Sequence, residues 1–186
     1  MNGERIRAAL RDASDTRDVR IEAGLFSSAA DVFGEIFGYA AAVVVADENT
    51  FSAAGEEAQR QLEASGRPMI EPYIFLGHPT LYAEYGNIET LVESLRGHDA
   101  TPVAVGSGTL NDIVKRSSYE CDRPYLCVAT AASMDGSTAF GASIEKDGHK
   151  QTLTCPAPKA VLADVDILVD APGRMTASGY ADLLGR

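Results

Sequence analysis

Hydrophobic positions along the chain switch repeatedly between two periods. Residues 41–47, "AAVVVAD", are continuously apolar up to a final acid, the pattern of a parallel strand buried on both faces. Residues 50–66, "TFSAAGEEAQRQLEASG", predict a helix with Thr50 as its cap and Gly66 as its stop. Residues 69–77, "MIEPYIFLG", read as a second strand, against which Pro72 counts. Residues 87–97 form an amphipathic helix with Ile88, Leu91, Val92 and Leu95 on one stripe. A third strand, "TPVAVGSG", runs into a glycine turn, and the helix "TLNDIVKRSSY" leaves it. "RPYLCVAT" is a fourth strand, and "GASIEKDGHKQTLTC" a hairpin around Asp147 and Gly148. "KAVLADVDIL" is a further strand with its exit, and "GRMTASGYADLLGR" begins a last helix. Upstream, "DVRIEAG" reads as a short strand and "SSAADVFGEIFG" as a helix capped by Ser27 or Ser28. Strands alternating with helices predict an α/β domain with a mainly parallel sheet and flanking helices. Ligands of such sheets bind beyond the carboxyl ends of the strands. Asp47, the glycine turn and "TAASMDGS" all fall there.

Composition narrows the class. With 186 residues, 45% hydrophobic and 23% charged, the chain is long enough for one sizeable globular domain. No apolar run approaches the roughly 18 residues that span a bilayer, and the charged N-terminus lacks the apolar middle of a secretory signal. A cytoplasmic protein is expected. The three cysteines, Cys121, Cys127 and Cys155, form no CxxC pair and read as free thiols. A net charge of −11 without a basic cluster argues against nucleic acid and against anionic membrane surfaces. It leaves an anionic small ligand open, because local backbone N–H groups act at short range.

The glycine turn is the strongest local candidate for such a ligand. Gly106 and Gly108 let backbone approach a guest closely. Thr109 and Asp112 form a T-x-x-D pattern, a capping-box variant at the helix start. The free N–H groups there suit an anion such as a pyrophosphate. The dinucleotide fingerprint wants glycine at position 111, where Asn111 stands, and wants its acid after the turn rather than before it. At this level the segment is either a phosphate cradle or simply a tight strand-to-helix turn.

The segments "GSGTLNDIVK", "TAASMDGS", "PAPKAVLADVDIL" and "GYADLLGR" occur in that order. Together they resemble the sn-glycerol-1-phosphate dehydrogenases, bacterial branch, within the dehydroquinate synthase-like and iron-type alcohol dehydrogenase superfamily. The resemblance runs from about Val43 to the last residue. It implies a Rossmann-like, dehydroquinate synthase-type nucleotide-binding domain that also carries a β-hairpin. It also implies interconversion of dihydroxyacetone phosphate and sn-glycerol 1-phosphate with NAD or NADP and a divalent metal, zinc or nickel. By that resemblance Asp47 holds the adenosine ribose hydroxyls, which favours NAD. Gly106, Ser107, Gly108 and Thr109 cradle the pyrophosphate, with Asp112 in the same segment, and Thr130 and Ser133 border the nicotinamide half. Asp135 orients the substrate hydroxyls, and Asp182 is the first metal ligand. The family often carries a serine four positions after the substrate aspartate; here Ala139 stands there.

The resemblance also implies two histidine ligands from a helical C-terminal domain. None of His78, His98 and His149 matches those positions. The expected division is therefore residues 1–173 as the dinucleotide-binding domain and 174–186 as the start of a helical metal-binding domain that is otherwise absent. The expected partner is a small phosphorylated triol, with homo-oligomers possible. Alternatives are a glycerol dehydrogenase-like polyol oxidoreductase and a non-catalytic NAD-binding module.

Overall fold

A computed structural model describes residues 2–78 and 80–185. Its centre is a parallel sheet in the order β1-β8-β5-β4-β2-β3. The strands are β1 (Asp18–Glu22), β2 (Ala42–Asp47), β3 (Met69–Phe75), β4 (Thr101–Gly106), β5 (Leu126–Ala129) and β8 (Ala160–Asp164). β6 (Ala142–Lys146) and β7 (His149–Leu153) form a separate antiparallel hairpin. Asp147 and Gly148 both take positive φ at its tip, 55° and 74°, as a two-residue turn between twisted strands requires.

The sheet separates two apolar layers, and the alternation of each strand assigns its residues between them. Val43 and Val45 of β2, Ala104 of β4 and Cys127 of β5 face one layer, under α5 (Tyr85–Arg96), α6 (Gly108–Glu120) and the hairpin. Ala42, Val44 and Ala46 of β2, with Val103, Val105, Leu126 and Val128, face the other, under α2 (Ala29–Phe37) and α4 (Glu56–Ala64). The four central strands are buried along nearly their whole length, and mostly apolar, because helices cover both sides. The stripe Ile88, Leu91, Val92 and Leu95 is buried as its spacing predicts. Pro72 is tolerated because β3 is an edge strand whose register slips by one residue between the partners of Val43 and Val45.

Two caps differ from the sequence reading. Thr50 is the third residue of a capping box whose cap is Asp47, starting α3 (Glu48–Thr50). A π turn, Phe51–Gly55, then leads into α4. Neither Ser27 nor Ser28 caps α2 through its side chain; Ser27 Oγ donates to the Gly24 carbonyl instead. Distant carboxylates hold the turn before α2. Buried Asp164 accepts from Phe26 N at 2.8 Å and Asp166 N at 2.9 Å, and Asp166 accepts from Gly24 N at 2.9 Å. The exit of β8 is also more ordered than expected, forming α7 (Val165–Asp170) before α8 (Gly173–Leu184). The N-terminal stretch, read only as charged, forms α1 (Asn2–Asp12).

Cys127 and Cys155 are buried and Cys121 is half-buried, none of them bonded to another. Burial pushes the Cys127 thiol up to about 12, so it behaves as a small apolar group.

Asp164 thus joins the end of β8 to the turn before α2 through one charge-assisted bond and caps α7 through another. Asp164→Ala should cost about 2 kcal/mol of stability, read as a lowered urea midpoint at unchanged m. An unmoved midpoint would show that this turn holds without its carboxylate.

Candidate functional site

The carboxyl ends of β2, β4, β5 and β8 open onto one cleft of about 590 Å³. Its walls include Asp47, Ser107, Thr109, Thr130, His78 and Arg174. Four of the residues singled out from sequence, scattered from position 47 to position 130, therefore meet. Parallel strands achieve this because each delivers its following loop to the same edge.

Asp47 enters the cleft from the end of β2. Its Oδ1 accepts from Thr50 N at 2.8 Å while Thr50 Oγ1 accepts from Asp47 N at 3.1 Å. The carboxylate is thereby fixed with Oδ2 left over. Beside it, Glu48 Oε2 accepts from Gly77 N at 2.9 Å and ties in the loop after β3.

β4 turns into α6 at the glycine segment. Ser107 is the N-cap residue and supplies no side-chain cap, so the first-turn N–H groups of a 13-residue helix are left for another acceptor. The two glycines answer first to neighbours within the chain. A Cβ on Gly106 would lie 2.7 Å from Leu110 Cβ, and one on Gly108 would lie 3.1 Å from Met134 Cγ. The Thr109–Asp112 capping box does not form. Asp112 turns away from the cleft, accepting from Ser143 N at 3.1 Å and from Lys115 Nζ at 3.5 Å. Burial raises its carboxyl above the ordinary value, with Lys115 and the Ser143 N–H opposing the shift.

Asp112 belongs to a buried polar cluster that sequence reasoning missed. Lys115, 1% exposed, donates to the carbonyls of Ala139 at 3.0 Å and Gly141 at 3.1 Å. Asn111 accepts from the Tyr125 hydroxyl at 2.9 Å and reaches the Ser137 carbonyl at 3.5 Å. The signal in sequence was a Lys and an Asn inside an otherwise apolar helical face.

Ser133 and Asp135 follow β5 on the loop past Thr130. Asp135 N donates to Asp182 Oδ2 at 3.1 Å, so the residues expected to meet substrate and metal do adjoin. Gly179 makes this possible. It is buried, and any Cβ there would overlap the Ala132 carbonyl oxygen, so only glycine lets α8 lie on this loop. Asp182 is one turn further along α8. Among the described residues no group of three or more His, Cys, Asp or Glu is placed to hold a metal. His78 lines the cleft and His149 sits at the hairpin tip. His98 accepts from Ala100 N, and burial and Arg123 push it below its ordinary value.

The family model described as iron-containing alcohol dehydrogenase matches residues 20–172. A glycerol-1-phosphate dehydrogenase [NAD(P)+] of Halalkalibacterium halodurans is 37% identical over 145 residues, covering 77% of this chain and 36% of that protein. One of Methanosarcina mazei is 31% identical over 169 residues, covering 90% and 46%. The chain thus spans less than half the length of these relatives. Glycerol dehydrogenase from Schizosaccharomyces pombe has the same fold, with a TM-score of 0.77 and 22% identity over 93% of this chain and 43% of that one. So does sulfoacetaldehyde reductase from Bifidobacterium kashiwanohense, solved with NAD+, at a TM-score of 0.72 and 20% identity over 93% and 51%.

Because Gly179 has no room for a side chain, Gly179→Val should lift α8 from the loop after β5 and part Asp182 from Asp135. Amide hydrogen exchange across 174–184 should quicken by about tenfold or more while β4 stays protected. Unchanged exchange in α8 would show that the helix docks without this close approach.

Proposed function

The chain belongs to the iron-containing alcohol dehydrogenase family, and on that premise we propose that it provides the dinucleotide-binding part of an NAD(P)-dependent oxidoreductase interconverting dihydroxyacetone phosphate and sn-glycerol 1-phosphate. The observation that carries this reading is the convergence of Asp47, Ser107, Thr109 and Thr130 on one cleft. The likeness to the glycerol-1-phosphate dehydrogenases supplies the substrate class.

The residues present fit a dinucleotide. Along the sheet, β2, β4 and β5 are neighbours in that order, which matches ribose, pyrophosphate and nicotinamide ribose laid end to end. Asp47 Oδ2 accepts from a ribose hydroxyl and repels a 2′-phosphate, favouring NAD over NADP. The uncapped start of α6, with Gly106, Ser107, Gly108 and Thr109, receives the pyrophosphate. Thr130 and Ser133 border the nicotinamide, and Asp135 orients the substrate hydroxyls. Asp112 drops out of the cofactor set because its carboxylate is committed to Ser143 and Lys115. A bound nicotinamide would supply the hydride for the central carbonyl carbon of dihydroxyacetone phosphate, or, oxidised, would accept it from the central carbon of sn-glycerol 1-phosphate.

Asp182 serves as one ligand of a divalent cation, zinc or nickel, in this reading. The described residues supply no complete ligand set, and in this reading the other ligands come from elsewhere. Residues 1–173 then make up the cofactor domain, and 174–186 belong to a helical unit that brings Asp182. No helix among the described residues is long and apolar enough to cross a membrane.

Titration of the chain with NADH, followed by its fluorescence, tests this reading directly. Saturable binding is expected, and Gly108→Val should weaken it by about tenfold by displacing Met134 and crowding the first turn of α6. An unchanged affinity removes the pyrophosphate from this turn. Asp47→Asn keeps a competent cap and should narrow the preference for NADH over NADPH. If the ratio of the two affinities stays put, Asp47 does not hold the ribose.

A further inference from the structure

Arg174 is the one arginine or lysine among the described residues that line the cleft. It stands in the first turn of α8, exposed, with no ion pair or hydrogen bond to any described residue. The arginines nearest the core are all committed. Arg20 pairs with Asp18 and Glu35, and Arg116 with Glu120. Arg67 donates to the carbonyls of Gly38 and Ala40, and Arg123 to those of Ala100 and His98. Asp170 lies four positions upstream, at the end of α7 on the same wall, yet the two do not pair. In a chain of net charge −11, a guanidinium left unpaired at a cleft wall lacks only an anion.

The sheet order says which anion. β8, which leads through α7 to Arg174, lies beyond β5, whereas Asp47 ends β2 on the other side of β4. Arg174 therefore belongs to the opposite end of the cleft from the adenosine ribose. The start of α6 lies between the two, offering its uncapped N–H groups to the same space.

We propose that Arg174 recognises a phosphate oxyanion in the cleft, closing on it from α8 while the start of α6 holds it from the other side. The planar fork of a guanidinium suits two phosphate oxygens at once. The inference rests on the dinucleotide reading above. The oxyanion has two possible sources, the cofactor's pyrophosphate and the phosphate of the triol substrate, and the sheet order allows either.

Calorimetric titrations of the wild-type chain, Arg174→Gln and Arg174→Lys separate these cases. The first probe is ADP-ribose, which carries the pyrophosphate without the nicotinamide. The second is sn-glycerol 1-phosphate with NADH held saturating, so that no turnover occurs. In Arg174→Gln the affinity for one probe should fall by about tenfold or more, with Arg174→Lys intermediate because charge remains without the fork. Loss with ADP-ribose assigns the residue to the cofactor, and loss confined to glycerol phosphate assigns it to the substrate. Affinities for both within about twofold of wild type overturn the proposal. So does a lowered melting temperature without ligand, which would mark Arg174 as a structural residue. Wild-type chain that fails to bind ADP-ribose overturns the dinucleotide reading itself, and Arg174 with it.

Discussion

Much of the structure hangs on a single buried ammonium. Lys115 is on the covered side of α6, where the neighbouring positions Ile113 and Val114 are apolar. Burying an unpaired charge there would be prohibitive. Two backbone carbonyls, from Ala139 and Gly141, and the Asp112 carboxylate surround it instead. Such a cluster is weak grounds for extra stability, because desolvation offsets most of the attraction. What it gives is position. The carbonyls belong to the stretch between Asp135 and the hairpin, a segment with only a short 3-10 turn of its own. Asp112 fixes Ser143 at the start of β6, and Asn111 ties Tyr125 before β5. One helix thus carries the uncapped start that faces the cleft and, on its other side, the bonds that hold the wall following β5.

The same region is arranged as much by missing side chains as by those present. At Gly106 the space of a Cβ is taken by Leu110, at Gly108 by Met134, and at Gly179 by the Ala132 carbonyl. Met134 sits on the loop that also carries Ala132, and its sulfur accepts from Gly136 N within that loop at 2.9 Å. The glycine turn, the loop after β5 and α8 therefore interlock, and a shift in one is felt by the others because packed interiors do not deform gradually. The glycines read from sequence as openings for a ligand are first of all contacts between segments. The cleft is the space left once those contacts are made.

This explains which features could be read along the chain. The strands of the sheet, the helix at Ile88 to Leu95 and the Asp147-Gly148 hairpin rest on local periodicity and local turn chemistry, and those were legible. Asp47 at a strand end and the glycine turn were legible as well, because parallel topology fixes where strand ends go. The caps were not. Asp164 serves Phe26 across 138 positions, and no window of sequence contains both. Asp112 misled for a related reason. Its spacing from Thr109 fits a capping box, but the cap position is Ser107, and the carboxylate is taken by Lys115 one turn along the same helix and by Ser143, which the fold brings near. Gly179 reads as an ordinary small residue in a helix until the loop it touches is in place.

The electrostatics of the cleft follow from range. The chain is strongly acidic, and on net charge alone it should repel a dinucleotide. At physiological ionic strength exposed charges are screened beyond about 8 Å, so an anion in the cleft responds to what lines it. There the charges are ordered along the sheet: a carboxylate fixed at the β2 end, helix N–H groups without a cap in the middle, and toward β8 the unpaired Arg174 with Asp170 on the same wall. An anion is disfavoured at the first position and favoured at the other two. A ligand that matches this order carries neutral hydroxyls at one end and phosphate further along. A dinucleotide with a free 2′-hydroxyl, the ligand proposed above, is built that way, and in that reading the global charge leaves its selection to the cleft.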